Sequence, residues 1–297
     1  MFRSLISLLI LAGLNTSPLS TNSTASEFDM ATLLNIKPIP ITQEAKTEPL
    51  IGAKAALVMD VDTGIILYQK NAKQQLPIAS LTKIMTATLI LESHALNEVV
   101  TVKNNFYNFK EDEIGVTMGL KKDEKITIEN LLTGLLVRSG GDAAITLAEY
   151  HSGSIEAFVV AMNEKAKILN LTNTNFTNPI GLDHPKHYSN TFDLAILTKF
   201  ALRNKDFRRI VNMPTATAIS TNGQTTHQLN ATNQLLLNND IDVRGVKTGT
   251  TDGAGESLIN LAYSKAGKQV IVVLLNSPAR FTESKKLITW SFDNFVW

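Results

Sequence analysis

The sequence predicts an α/β protein in which an antiparallel sheet is flanked by helices, with an α-rich subdomain beside it. Two observations support this fold class. Apolar runs typical of strands lie towards both ends of the chain, whereas the middle carries apolar residues at every third or fourth position, as helices do. Because sequential strands are usually neighbours, an N-terminal hairpin is expected to complete a sheet built from C-terminal strands.

The first segment of the chain has the pattern of an export signal. Arg3 precedes a largely apolar run of ten residues, 5–14, and a polar stretch with small residues follows it up to Ala25. We expect residues 1–25 to be a signal peptide that is removed near Ala25. An uncleaved anchor is the alternative, but ten helical residues reach only about half of the roughly 30 Å hydrocarbon core.

Residues 26–50 contain Pro38, Pro40 and Pro49 without a sustained apolar period, and they are expected to form a mobile linker. We expect residues 51–297 to form one domain that is large enough for a catalytic domain. Its first elements are two strands at 53–59 and 65–68, which turn at Gly64.

Helical spacing continues through the middle of the domain. It predicts helices at 80–92, 126–137, from 142 onward, 157–169 and 193–202, with Gly140 and Gly141 breaking the chain between the second and third. From residue 243 onward the pattern indicates strands at 243–247, 257–263 and 269–276, followed by an amphipathic helix at 283–295.

Composition excludes several kinds of site. The formal net charge is +1, so no strong field favours nucleic acid, and the absence of cysteine excludes disulfides, thiolate metal sites and cysteine nucleophiles. We expect no metal and no cofactor.

Ser80 is followed by Lys83, and a spacing of three residues on a helix places both side chains on one face. A serine hydroxyl becomes a good nucleophile when a neighbouring base removes its proton, so Lys83 must be neutral at working pH. The positive end of the helix dipole, burial and the nearby cation Lys247 are each expected to lower the pKa of Lys83. An isolated match of this kind is usually a helix start followed by a solvated lysine.

Two further motifs follow in chain order. Ser139 is predicted to lie at a junction between helices, from where its hydroxyl can carry a proton to a leaving group. At the end of a predicted strand, Lys247 and Thr248 offer a charge and a hydroxyl to an anionic substrate, and Gly249 lacks the Cβ that would block close backbone approach. The three motifs are separated by 59 and 108 residues and together are far more specific than any one alone.

With these motifs the chain resembles the D-alanyl-D-alanine carboxypeptidases, the low-molecular-mass penicillin-binding proteins of serine peptidase family S11. The resemblance covers residues 53–297 and rests on five stretches: residues 78–86, 139–144, 162–166, 181–183 and 245–251. It implies a β-lactamase/transpeptidase-like fold.

The resemblance also implies an activity. Ser80 would attack the peptide bond between the two terminal D-alanines of a peptidoglycan stem peptide, with Lys83 as general base, and water would resolve the acyl-enzyme. Thr250 is our choice for the second donor of the oxyanion hole, beside the N–H of Ser80. Arg280 occupies a place where a family arginine can bind the terminal carboxylate; an ordinary surface arginine is the alternative.

The implied partners are the stem peptide and, as covalent inhibitors, β-lactam antibiotics. The implied location is the periplasm or the extracellular cell-wall space. Relatives often carry a C-terminal amphipathic anchor, and we expect none here.

One position departs from the family pattern. Gly141 stands where the family has an asparagine that holds the substrate's amide and contacts the lysine. We expect a slowed or altered enzyme rather than an inactive one, since losing one positioned hydrogen bond costs about 1–3 kcal/mol while Ser80, Lys83 and Lys247 remain. We expect an asparagine at this position to raise acylation.

Two rival functions remain open from the sequence. A class A β-lactamase would share the nucleophile but needs a glutamate for deacylation, and the only Glu-x-x-x-Asn pattern, Glu256 to Asn260, lies after Lys247. A peptidoglycan-binding protein without turnover is the other, although it would have no need of the Ser80 and Lys83 pair.

Overall fold

The computed structural model describes residues 38–42, 47–237 and 240–297. The expected signal peptide lies outside these residues, and so does much of the expected linker. Within the linker, however, a short strand β1 (Ile41–Thr42) pairs with the C-terminal strand β11 (Phe295–Val296). Part of the segment that we expected to be mobile is therefore paired with the rest of the domain.

The central sheet has five antiparallel strands and joins the two ends of the chain. In spatial order they are β3 (Ile66–Lys70), β2 (Ala55–Asp60), β10 (Gln269–Leu275), β9 (Gly255–Tyr263) and β8 (Asp242–Thr251). The N-terminal hairpin thus completes a sheet formed by the C-terminal strands, as predicted. Strand β8 lies at one edge.

Helices pack on both faces of this sheet, and further helices form the α-rich region beside it. The helices within the described residues are α1 (Lys83–Ser93), α2 (Glu111–Ile114), α3 (Ile128–Thr133), α4 (Gly141–Ser152), α5 (Ile155–Ile168), α6 (Thr191–Ala201), α7 (Lys205–Val211) and α8 (Arg280–Asn294). The predicted α/β class, an antiparallel sheet flanked by helices beside an α-rich region, is confirmed.

Alternation along the strands explains how the two layers form. In β10, Val270, Val272 and Leu274 belong to the apolar cluster that contains Leu287 of α8. The intervening residues of β10 face the larger cluster on the other side, which contains the helices of the middle region. Because successive strand residues point to opposite faces, a strand buried on both faces must be apolar throughout.

Several smaller features were not predicted, among them the helices α2 and α7. Two hairpins, β4 (Val99–Thr101) with β5 (Lys125–Thr127) and β6 (Thr215–Ile219) with β7 (Thr226–Asn230), lie in the helical region. The second predicted helix, 126–137, begins later than expected because β5 precedes it. It is divided into α3 and a π-helical turn, Gly134–Arg138.

No helix within the described ranges is both long and apolar enough to cross a membrane.

Candidate active site

Ser80 lies on a 3-10 turn, Ala79–Thr82, that leads directly into α1. Ala79 has a left-handed backbone with φ of 47°, which non-glycine residues seldom adopt. Ser80 is half-buried, whereas Lys83 is 1% exposed. The nucleophile candidate is therefore held on a tight turn with its partner lysine below it in the core.

The amine of Lys83 lies 2.8 Å from the hydroxyl oxygen of Ser80. Its second partner is the carbonyl of Ile180, at 2.9 Å. Burial lowers the pKa of Lys83 to about 7, and the carboxylate of Asp142 acts against this shift. The predicted contact is present, and burial, the second of the three expected causes, is the main reason for the low pKa.

The bond to Ile180 orients the amine. A neutral amine has two N–H donors and one lone pair, so an N–H that is committed to the Ile180 carbonyl helps to leave the lone pair for Ser80. In that protonation state the Ser80 hydroxyl donates to Lys83, which is the arrangement that proton removal requires.

The backbone of strand β8 lies close to the backbone of the turn Ala79–Thr82, which we call the nucleophile turn. A Cβ built on Gly249 would lie 3.1 Å from the Ser80 nitrogen, the Ile78 carbonyl oxygen and the Ala79 Cβ. A side chain at this position would push the strand away from the turn. The expected reason for a glycine here, close approach of two backbones, is present in the structure.

Lys247 is 1% exposed and donates a hydrogen bond of 2.9 Å to the Thr248 carbonyl. Burial lowers its pKa well below the ordinary value, and the neighbouring charges of Lys83 and Arg280 add to the effect. Lys247 is thus close enough to Lys83 for the two charges to interact. The hydroxyl of Thr248 is hydrogen-bonded to that of Thr232.

Arg280, the first residue of α8, reaches the end of β8. Its guanidinium donates to the Gly249 carbonyl at 3.0 Å and to the Thr250 hydroxyl at 2.7 Å, and its Nε lies 3.8 Å from a carboxylate oxygen of Glu256. The side chain of Arg280 is only 13% exposed, and arginine keeps its proton at neutral pH. The guanidinium is therefore a lasting positive charge beside the nucleophile turn.

Ser139 lies where it was predicted, between the π-helical turn and α4, with a left-handed backbone and 6% exposure. Across the described residues its hydroxyl makes no hydrogen bond to Ser80, Lys83 or Lys247. The structure thus places Ser139 at the start of α4 without joining it directly to the other candidates.

The space beside Gly141 is filled by main chain. A Cβ on Gly141 would lie 1.7 Å from the Ile114 carbonyl oxygen, and the Gly141 N–H donates to the Val116 carbonyl at 2.6 Å. An asparagine introduced here would overlap backbone atoms of residues 114–116, which argues against the gain in acylation expected from the sequence.

Asp142 fixes this segment to the start of α4. Its buried carboxylate accepts four N–H bonds of 2.9 Å, from Met118, Gly119, Leu120 and Ala143. The segment that follows Val116 is therefore anchored, and the Ile114 carbonyl is part of a braced wall.

The sequence predicted no role for the loop that carries Ile180, although residues 181–183 are among the stretches that carry the family resemblance. The side-chain oxygen of Asn178 accepts the N–H groups of Ile180, Gly181 and Leu182, at 3.2, 2.7 and 3.0 Å. Gly181 lies against the nucleophile turn, where an added Cβ would be 1.9 Å from the Ala79 carbonyl oxygen. The turn residues Asn, Pro and Gly at 178–181 were the available signal for such a loop.

The sequence also predicted no role for His187, which supports the nucleophile turn through the side chain of Thr82. The Thr177 N–H donates to Nδ1 at 3.0 Å, so the neutral ring carries its proton on Nε2, which lies 2.7 Å from the Thr82 hydroxyl. That hydroxyl donates in turn to the Ala79 carbonyl at 2.8 Å. Burial lowers the pKa of His187 to about 4, which keeps this relay neutral.

Comparison with known proteins identifies the family of the chain. A family model described as D-alanyl-D-alanine carboxypeptidase, peptidase S11, matches residues 42–279. The carboxypeptidase DacC of Escherichia coli K12 is 35% identical over 261 residues, covering 83% of this chain and 63% of its own length. A D-alanyl-D-alanine carboxypeptidase of Streptomyces sp. K15 is 33% identical, covering 84% of this chain and 90% of its own.

Solved structures have the same fold. The Streptomyces K15 DD-transpeptidase superposes with a TM-score of 0.77 at 31% identity, covering 84% of this chain and all of that one. Penicillin binding protein 5 from Haemophilus influenzae gives 0.77 at 32% identity, covering 84% and 73%. The chain spans 63% of the length of DacC and 66% of the length of the carboxypeptidase DacD of Salmonella typhimurium. The chain belongs to the peptidase S11 family, that of the D-alanyl-D-alanine carboxypeptidases.

Proposed function

We propose that the chain is a serine D-Ala-D-Ala carboxypeptidase that removes the terminal D-alanine of peptidoglycan stem peptides through an acyl-enzyme on Ser80. The observation that carries the proposal is the pair of Ser80 and Lys83, joined at 2.8 Å with the lysine pKa lowered to about 7. A purely structural lysine gains nothing from such burial, whereas a general base needs a pKa near the working pH.

In acylation, Lys83 accepts the proton of Ser80 while Oγ bonds to the carbonyl carbon of the penultimate D-alanine. The negative charge that develops on the carbonyl oxygen is stabilised by the N–H groups of Ser80 and Thr250, which lie on the two backbones that Gly249 allows to approach. The carbon–nitrogen bond then breaks and D-alanine leaves.

The leaving amine needs one proton, which Lys83 supplies after receiving it from Ser80. Ser139, at the start of α4, is our candidate for relaying this proton. Because its hydroxyl makes no hydrogen bond to Lys83 within the described residues, the relay requires that substrate binding bring the two groups together. Water then attacks the ester and its proton passes to Lys83, which returns it to Ser80 Oγ as the carbon–oxygen bond breaks and the shortened peptide is released.

The substrate's terminal carboxylate is held at the end of β8. Arg280 is its main cationic partner, with Thr248 and Lys247 beside it. Because the pKa of Lys247 is strongly lowered, we assign the permanent positive charge to Arg280 rather than to Lys247.

D-alanine release tests the proposal. Incubation with a peptide that ends in D-Ala-D-Ala should release free D-alanine, and Ser80→Ala should abolish the release while leaving the melting temperature nearly unchanged. A wild-type protein that binds the peptide without release would instead be the binding protein considered above. Rapid turnover of a cephalosporin would favour the β-lactamase.

We also propose that the chain is exported and acts on the cell wall, with β-lactams as covalent inhibitors. The apolar run at 5–14 and the small residues before residue 26 support export. N-terminal sequencing of the protein from its native host should begin near residue 26; a protein that begins at Met1 would contradict cleavage.

A further inference from the structure

A cavity adjoins the start of α4, where Ile114 and Val116 of its lining lie beside Gly141. It has a volume of about 440 Å³, within the usual range of small-molecule and peptide side-chain sites. Its wall includes the backbone segment that fills the space beside Gly141, and Arg138 stands next to Ser139 in the chain. The cavity therefore borders the proposed active site.

Most of the residues that line the cavity have aromatic or branched apolar side chains, although more of its exposed surface is polar than apolar. The lining includes Phe106, Tyr107, Phe109, Ile114, Val116 and Arg138. Tyr107 is 73% exposed, and Phe109 and Val116 are each 41% exposed. Aromatic and branched side chains that remain this open beside the start of α4 offer contact area to the aliphatic part of a bound group.

One wall of the cavity is already fixed. The Val116 carbonyl is bonded to the Gly141 N–H, and the following residues are bonded to the buried carboxylate of Asp142. A ligand in the cavity would thus bind against a wall that needs no ordering, and little affinity would be lost to conformational entropy there.

Arg138 supplies the only formal charge among the residues that line the cavity. Its side chain is exposed, and within the described part of the chain it has neither an ion pair nor a hydrogen bond. A guanidinium beside aromatic and branched side chains fits a carboxylate on an aliphatic stem, which it can bind through two parallel N–H bonds.

We infer that this cavity is a subsite for an acidic side chain of the substrate peptide, with Arg138 as its carboxylate partner. The inference rests on the proposed function. Since Arg280 is assigned to the terminal carboxylate, a second anion at Arg138 belongs to a residue farther from the C-terminus, and we assign it to the residue that precedes the two D-alanines. Arg138 is then a specificity-determining residue outside the reacting groups.

Two matched peptides test the subsite: acetyl-L-Glu-D-Ala-D-Ala and acetyl-L-Gln-D-Ala-D-Ala, which differ only in a carboxylate and a carboxamide. The wild type should prefer the glutamate peptide, and Arg138→Gln should lower kcat/KM for it about three- to tenfold while leaving the glutamine peptide unchanged. The preference should weaken in high salt. Arg203→Gln, which removes an exposed arginine stacked on Phe200, is the matched control and should change neither value.

An equal effect of Arg138→Gln on both peptides, or no effect on either, overturns the subsite while D-alanine release still supports the carboxypeptidase. If neither peptide releases D-alanine, the proposed activity fails, and the subsite is decided by binding alone. In that case the glutamate peptide should bind the wild type more tightly than the glutamine peptide and lose this advantage in Arg138→Gln; equal dissociation constants would rule the subsite out.

Discussion

The amine of Lys83 stands 2.8 Å from the hydroxyl of Ser80, buried in the core and bonded on its other side to the Ile180 carbonyl. Burial in this position disfavours the ammonium form, so the pKa of Lys83 falls from 10.5 to about 7. The serine thus has a base that is largely neutral just above neutral pH.

The pH dependence of acylation should follow this pKa. The reactive form needs a deprotonated Lys83, so the acylation rate should rise about tenfold per pH unit below 7 and level off above it. Stopped-flow measurement with a fluorescent penicillin gives the profile. Lys83→Met should lower the rate by about 10²- to 10⁴-fold and remove this inflection; an unchanged profile in the variant would assign the base elsewhere.

Substitution of Gly249 should separate β8 from the nucleophile turn. The added Cβ meets three atoms at 3.1 Å, two of them backbone atoms that cannot move independently. We expect Gly249→Ala to slow acylation moderately and Gly249→Val to slow it by about a hundredfold, since an error of 1 Å in an active site can cost that much. Acylation rates of the two variants that equal the wild type would show that the close approach is dispensable.

Gly141→Asn should not improve the enzyme. The new side chain overlaps the Ile114 carbonyl, and relieving the overlap must move a segment braced by Asp142. We expect a loss of about 1–3 kcal/mol in the free energy of unfolding, with an acylation rate no higher than that of the wild type. Denaturant unfolding measures the first and penicillin binding the second; a faster and equally stable variant would mean that the segment moves aside freely.

His187 should make stability depend on pH in the acid range. Its pKa is about 4 in the folded state and 6.5 when free, so the unfolded chain binds more protons between these values. Neutral His187 therefore makes its full contribution to the free energy of unfolding above pH 6.5. This contribution, up to about 3 kcal/mol, is lost as the pH falls towards 4. Unfolding of the wild type and His187→Gln at several pH values checks this, because the variant should have a flatter profile over that interval.

Arg280 should act on the substrate's carboxylate. Arg280→Leu should lower kcat/KM about ten- to hundredfold for a peptide ending in D-Ala-D-Ala, the range expected for a charged hydrogen bond. The same peptide with a C-terminal amide provides the control, since any damage to β8 through the lost bonds to Gly249 and Thr250 affects both peptides equally. Equal losses on the acid and the amide would make Arg280 a structural residue only.

The sequence could predict the parts of the site that depend on local spacing. Ser80 and Lys83 are three residues apart, so helical geometry alone brings them together. The role of Gly249 also followed from its residue type, because the absence of a Cβ has a purely steric meaning. The centre of the sheet was predictable for a similar reason, since β2 and β10 are almost continuous apolar runs.

The partners that complete the site are distant in sequence. Ile180 is 97 residues from Lys83, and His187 is 105 residues from Thr82, and no local pattern links residues so far apart. A carbonyl has no sequence signal at all, which is why Ile180 was missed. For the same reason the sequence identified the lost asparagine at Gly141 but not the Ile114 carbonyl that fills its space.

The central claim is that Ser80 is the nucleophile and Lys83 its base, and the mass of the protein after incubation with benzylpenicillin tests it most directly. At pH 8 the wild type should gain one penicilloyl group, and peptide mapping should place it on Ser80, with Ser80→Ala unmodified and Lys83→Met modified far more slowly. A wild type that stays unmodified, or an adduct on any other residue, would contradict the account.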